Sequence, residues 1–165
     1  MDHLGIYDVI VVGGRVAGAA TAILLARSGI RVLLVEQSQQ LPPIVSTHLL
    51  HPYGLASLYR LCLREKFETE QPKIPYMSIF FGKNVLRARV TPVEDIDYMT
   101  CPDRDWLDNL LLDQCRTQPN LHLVLGFRVS KLLKNNQGKV TGIEGRYQGT
   151  PTCAEASLVI GADGK

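Results

Sequence analysis

Tyr7-Asp8-Val9-Ile10-Val11-Val12-Gly13-Gly14-Arg15-Val16-Ala17-Gly18 is the stretch whose reading decides the fold. Its first half is a β-branched run that stops at glycine, the pattern of a short strand buried on both faces. Ala17 to Ser28 follows, rich in alanine and leucine and closed by Gly29, which predicts a helix with a glycine stop. Arg31 to Glu36 is again β-branched and apolar, a second buried strand. Strand, tight turn, helix and strand within about thirty residues make a βαβ unit, and such a crossover forces a parallel pair covered by a helix.

The turn inside this unit carries chemistry. Gly13 permits the tight turn, and Gly18 lets the helix pack close to the strand. The helix start then offers N–H groups and the positive end of its dipole to a pyrophosphate. Glu36 ends the second strand where an acid binds the ribose hydroxyls of an adenosine, and an acid there disfavours a 2′-phosphate. Gly13, Gly14, Arg15, Val16, Ala17, Gly18 and Glu36 are therefore candidate dinucleotide-binding residues. Arg15 departs from the pattern, because the fingerprint wants glycine there for close backbone approach. With its Cβ turned aside, its guanidinium would lie over the phosphates or the far end of the dinucleotide. The competing reading is a glycine turn in an ordinary α/β sheet with Glu36 solvated.

Outward from this unit, Gln37 to Pro52 is polar and broken by proline, an excursion rather than an element. Tyr53 to Phe67 has helical spacing of Leu55, Leu58, Leu61 and Cys62, and reads as one helix. Tyr76 to Phe81 and Val85 to Val90 read as a hairpin around Gly82-Lys83-Asn84. Asp103 to Thr117 is a helix with Asp103 or Asp105 as N-cap. Leu121 to Leu125 is a strand, Arg128 to Lys134 and Lys139 to Tyr147 are a hairpin, and Ala156 to Ile160 is a buried strand running into Gly161-Ala162-Asp163-Gly164. The chain ends one residue later, which reads as a truncated domain. The expectation is an α/β fold: a Rossmann-like domain over 1–165 with a parallel sheet, crossover helices and an added β-hairpin or meander.

Bulk properties narrow the class. Of the 165 residues, 45% are hydrophobic and 21% charged, ordinary globular usage, and the net charge of +2 is too small to argue for nucleic acid or an anionic membrane surface. Cys62, Cys101, Cys115 and Cys153 stand far apart without a CxxC pair, so they read as reduced thiols in a cytoplasmic protein. The stretch Val9 to Ala26 is interrupted by glycines and Arg15, so no integral membrane segment is expected. His48 and His51 are spaced like one helical turn, but Pro52 disfavours helix at His51 and no carboxylate accompanies them, so no metal is expected.

Two motifs separate FAD from NAD: the helix Cys101-Pro102-Asp103-Arg104-Asp105-Trp106-Leu107-Asp108 on the second crossover, and the late strand ending Val159-Ile160-Gly161-Ala162-Asp163-Gly164. At these residues the sequence resembles the para-hydroxybenzoate hydroxylase-like flavoprotein monooxygenases, a group whose relatives include halogenases and geranylgeranyl reductases. The segment from Ser46 to Pro52 and the Gly-x-Arg-x-x-Gly turn are similar to a bacterial subgroup of FAD-dependent oxidoreductases. The resemblance covers nearly the whole chain but less than half of a typical member. It implies that Gly13, Gly18 and Glu36 hold the ADP half of FAD, and that Arg104 reaches its ribityl and pyrophosphate side. It further implies that Val129 meets the adenine through its backbone, that Asp163 takes part in FAD and NAD(P)H handling, and that His48 and His51 line the cavity near the isoalloxazine. It implies NAD(P)H as electron donor and O2 acting on a small organic substrate. It singles out no catalytic residue. Without the resemblance, Arg104 is a helix residue pairing with Asp108, and Asp163 an ordinary Asp-Gly turn. A flavin-dependent reductase of the geranylgeranyl reductase type, an NAD-dependent dehydrogenase and an inactive nucleotide-binding fragment stand as alternatives. The substrate and oligomeric state are left open.

Overall fold

A computed structural model describes residues 1–44 and 49–164. In chain order its elements are β1 (Asp2–Val12), α1 (Val16–Arg27), β2 (Val32–Glu36), α2 (Pro52–Tyr59), α3 (Arg64–Glu70), β3 (Tyr76–Phe81), β4 (Asn84–Arg89), α4 (Arg104–Arg116), β5 (Leu121–Leu125), β6 (Phe127–Lys134), β7 (Val140–Tyr147) and β8 (Thr150–Gly161). The chain divides into two compact units: one of Met1–Pro43 with the residues from Leu107 onward, the other Ile44–Trp106.

The first unit is built on a six-stranded sheet of order β5-β2-β1-β8-β7-β6. The strands β5, β2, β1 and β8 run parallel, and β7 and β6 add to β8 antiparallel. This is the expected α/β architecture, a parallel sheet extended by a meander. All five residues of β2 are buried, as a central strand covered on both faces requires. Alternation sorts its side chains. Ile10, Leu33 and Val35 join Val124, Phe127, Ile143, Ala154 and Ala156 in one core cluster, so the meander covers that face. Val9, Val11, Val32 and Leu34 are buried on the other face. There α1 brings its small residues Gly18, Ala19, Ala22 and Ala26 together with Ile23 against the sheet. The Cys115 thiol of α4 donates to the Ala19 carbonyl of α1 at 3.8 Å.

Between β5 and β6 the chain turns at Gly126, whose φ of +81° suits glycine. Its N–H donates to the Ser38 carbonyl at 3.2 Å. A Cβ on Gly126 would lie 2.9 Å from Gln39 Cγ, so the start of β6 runs beside the segment leaving β2.

The second unit differs from expectation in one place. The predicted single helix over Tyr53 to Phe67 is two helices, α2 and α3, broken at Arg60–Leu63. Cys62 adopts φ 61°, with its N–H donating to the Tyr59 carbonyl at 2.9 Å, so the first helix ends on a left-handed residue. The physical reason is burial: Leu61 and Leu63 are 1% and 2% exposed, and side chains two apart cannot share one helix face. Phe67 then packs edge-on against Trp106, ring centroids 4.9 Å apart. The β3–β4 hairpin forms as expected, with Phe81 opposite Asn84 and a two-residue turn of Gly82 and Lys83.

Candidate functional site

The glycines of the first turn are there because no side chain fits. The Gly13 N–H donates to the Val35 carbonyl at 2.8 Å, and the residue sits at φ 108°. A Cβ on it would stand 2.5 Å from the Ala162 carbonyl oxygen. Ala162 is fixed in turn by its own N–H, which donates to the Val12 carbonyl at 2.7 Å. A Cβ on Gly14 would stand 2.8 Å from Glu36 Cβ, and one on Gly18 would overlap the Gly13 carbonyl. The backbone of α1, the turn and the end of β8 therefore meet closely, with Asp163 exposed beside them.

That helix begins without a cap. Arg15 stands at its N-cap position in extended conformation (φ −82°, ψ −171°), makes no side-chain capping bond, and no acidic residue lies in the first turn. The first four N–H groups of a helix have no intrahelical acceptor, and its dipole places about half a positive charge there. A phosphate-bearing ligand satisfies both demands at once.

Glu36 faces this turn. Its Oε2 accepts the Gly14 N–H at 2.8 Å and its Oε1 accepts the Ser38 N–H at 2.9 Å. The side chain is 7% exposed, and each oxygen retains a further acceptor position of the kind a ribose diol uses.

The guanidinium of Arg15 is engaged by protein. Nη1 donates to Asp108 Oδ2 at 2.6 Å and Nη2 donates to the Pro42 carbonyl at 2.7 Å, which differs from the expectation that it lies over phosphates. Sequence reasoning missed Asp108 as a partner. The available signal was its place at helical spacing from the buried Leu111, Leu112 and Cys115: a carboxylate on a buried stripe demands a partner. It also missed Ser38, whose backbone N–H carries no residue-type signal.

The structure thus brings Gly13 to Gly18, Glu36 and Asp163 together. Val129 lies on the edge strand β6, opposite Gly145 and next to a register shift, three residues beyond the Gly126 that bonds to Ser38. Its side chain packs on the core cluster, so its backbone is what it presents. Arg104 opens α4 and is half-buried in the second unit. His51 is the extended, exposed residue before α2, with Pro52 at the first helical position. His48 lies outside the described residues, as do Ser46 and Thr47. Among the described residues there is no group of three or more His, Cys, Asp or Glu side chains placed to hold a metal ion. None of the described helices is long and apolar enough to cross a membrane.

Comparison with known proteins agrees with this geometry. The 6-methylpretetramide 4-monooxygenase of Streptomyces rimosus is 30% identical over 171 residues, covering 96% of this chain and 38% of that enzyme. Among solved structures, the myxobacterial chondrochloren halogenase superposes with a TM-score of 0.86 at 22% identity, over 97% of this chain and 38% of that one. The p-nitrophenol 4-monooxygenase of Pseudomonas putida gives 0.84 at 21% identity, over 99% and 42%. The chain spans about two-fifths of the length of each. Residues 6–165 match the model of the FAD binding domain, and the chain belongs to that family.

Proposed function

We propose that this chain is the FAD-binding part of a flavin-dependent monooxygenase that takes electrons from NAD(P)H and uses O2 on a small organic substrate. The observation that carries the reading is an uncapped helix start walled by glycines that admit no side chain, with a buried carboxylate at its lip.

The residues present fit FAD. The turn from Gly13 through Gly14, Arg15, Val16 and Ala17 to Gly18 would hold the pyrophosphate through backbone N–H groups. Glu36 would grip the adenosine ribose with the acceptor positions that Gly14 and Ser38 leave open. Backbone groups of Val129 would meet the adenine, Arg104 the ribityl and pyrophosphate side, and Asp163 would border the cofactor from the end of β8. Bound FAD would supply the two-electron redox chemistry, and the chain's own part is to bind it, orient it and shield it from water. The four free cysteines favour a reducing compartment, and the cytoplasm is the location we propose.

The test is direct. The purified chain, loaded with FAD and desalted, should keep a flavin absorbance spectrum and release FAD on denaturation. A colourless protein that instead takes up NAD refutes the flavin reading. O2 uptake driven by NAD(P)H, measured on a full-length relative carrying this domain, separates a monooxygenase from a reductase.

A further inference from the structure

The residue that breaks the glycine fingerprint has a structural assignment of its own. The guanidinium of Arg15 does not point away into solvent; it spans from the start of α1 to the Asp108 carboxylate on α4 and to the Pro42 carbonyl. The two ends of this ion pair are unequal, the Arg15 side chain being 26% exposed and that of Asp108 1%. A carboxylate so buried depends on nearby positive charge, and losing that charge costs more than an exposed contact returns. The planar fork of arginine lets two nitrogens serve two acceptors at once.

Pro42 closes a strap that begins at Ser38. At its root, the Ser38 N–H donates to Glu36 and its carbonyl accepts the Gly126 N–H. At its far end Arg15 holds Pro42. Arg15 therefore secures the segment adjoining the ribose-binding carboxylate, while balancing a buried negative charge one arginine side chain away from the helix start.

We infer that the Arg15 side chain positions the cofactor site and is not itself a phosphate ligand: tied to Asp108 and Pro42, it fixes the wall beside the helix start and neutralises the Asp108 charge one arginine side chain away from it. This rests on the FAD reading above. Two of its guanidinium nitrogens are already held by Asp108 and Pro42, which turns the group toward protein acceptors, so the inference opposes the direct-contact role that the fingerprint position suggests.

The experiment is a double-mutant cycle on the 165-residue chain, with FAD affinity from flavin fluorescence titration and unfolding midpoints of the cofactor-free protein. R15A should weaken FAD binding at least about tenfold and D108N about threefold, while the double variant R15A/D108N recovers at least about threefold over R15A because the buried carboxylate that Arg15 served is no longer charged. Both single variants should lower the cofactor-free midpoint, and R15K, which keeps the charge but lacks the planar fork that meets both acceptors, should fall between wild type and R15A in affinity. A merely structural role would lower the midpoints without the charge-dependent recovery. D108N binding FAD as tightly as wild type, or R15A leaving the cofactor-free midpoint unchanged, would overturn the inference. Should R15A or D108N fail to fold, the comparison of R15K with wild type decides: equal affinity overturns the inference and reduced affinity with retained fold supports it. Wild type that takes up no FAD refutes the functional reading itself, an outcome separate from all of these.

Discussion

Glu36 and Gly14 are joined by a hydrogen bond of 2.8 Å from the Gly14 N–H to Oε2, across 22 residues of sequence. The bond has a steric counterpart, since a Cβ on Gly14 would press on the Cβ of Glu36 at 2.8 Å. The carboxylate is thus held against the glycine turn by the absence of a side chain on one residue and by the backbone donors of two.

Replacing Glu36 by glutamine tests both of its roles. A glutamine keeps one acceptor oxygen, so one of the two charge-assisted bonds to Gly14 and Ser38 is lost. The expected loss of stability is about 1.5–3 kcal/mol, the range for one bond to a charged group, and FAD affinity should fall about tenfold or more. Thermal unfolding and flavin titration measure the two effects separately. Wild-type affinity in this variant would confine Glu36 to supporting the turn.

A second variant addresses the turn itself. A Cβ on Gly18 has no room beside the Gly13 carbonyl, so Gly18→Val must push α1 off the turn. The expected outcome is a chain that retains no flavin after desalting and unfolds at lower temperature, with a loss at or above the roughly 1–3 kcal/mol typical of steric overpacking in a buried site. Far-ultraviolet circular dichroism at low temperature establishes whether the variant still folds. Retained FAD in a folded Gly18→Val protein would move the site elsewhere.

The cysteines predict a graded response to thiol reagents. Cys62 and Cys101 are exposed, whereas Cys115 and Cys153 are buried. Burial pushes the Cys115 thiol up to about 12, with the nearby Arg116 charge opposing that shift. The folded state therefore holds this proton after the unfolded chain has lost it, near pH 8.5 for a free cysteine. Stability from this group is complete below about pH 8.5 and declines as pH rises toward 12, because there the unfolded state binds fewer protons. Two thiols should react rapidly with a disulfide reagent at pH 8 and two only on unfolding. Rapid labelling of Cys115 in the native protein would contradict its burial between α4 and α1.

What the sequence made legible was local. The run from Tyr7 to Glu36 declared its strands and helix through apolar spacing, and its turn through glycines whose neighbours are close in sequence. The Leu121–Leu125 strand was equally clear because it is bounded by turn residues. The extra length of β1 and β8 was not legible. Asp2 to Ile6 and Thr150 to Glu155 are polar or proline-bearing, and they become strand only by pairing with each other and with β7. The partner of Arg15 was hidden for the same reason, being 93 residues away. Of the candidate site, the glycines and Glu36 could be read directly; the strap from Ser38 to Pro42 required the fold.

The break between α2 and α3 gives the last prediction. Cys62 holds φ 61°, a region that costs a residue with a Cβ about 1 kcal/mol or more and glycine nothing. Its side chain is exposed, so little packing is lost on its removal. The neighbouring Leu61 and Leu63 stay anchored in the core of their unit and hold the break in place. Cys62→Gly should therefore stabilise this unit by up to about 1 kcal/mol, reduced somewhat by the greater freedom of glycine in the unfolded chain. Hydrogen exchange of the α2 and α3 amides measures the effect within this unit alone, and slower exchange is the expected result. Faster exchange would mean that the Cys62 side chain contributes contacts outweighing its backbone strain, and a continuous helix through residues 60–63 would become the better description.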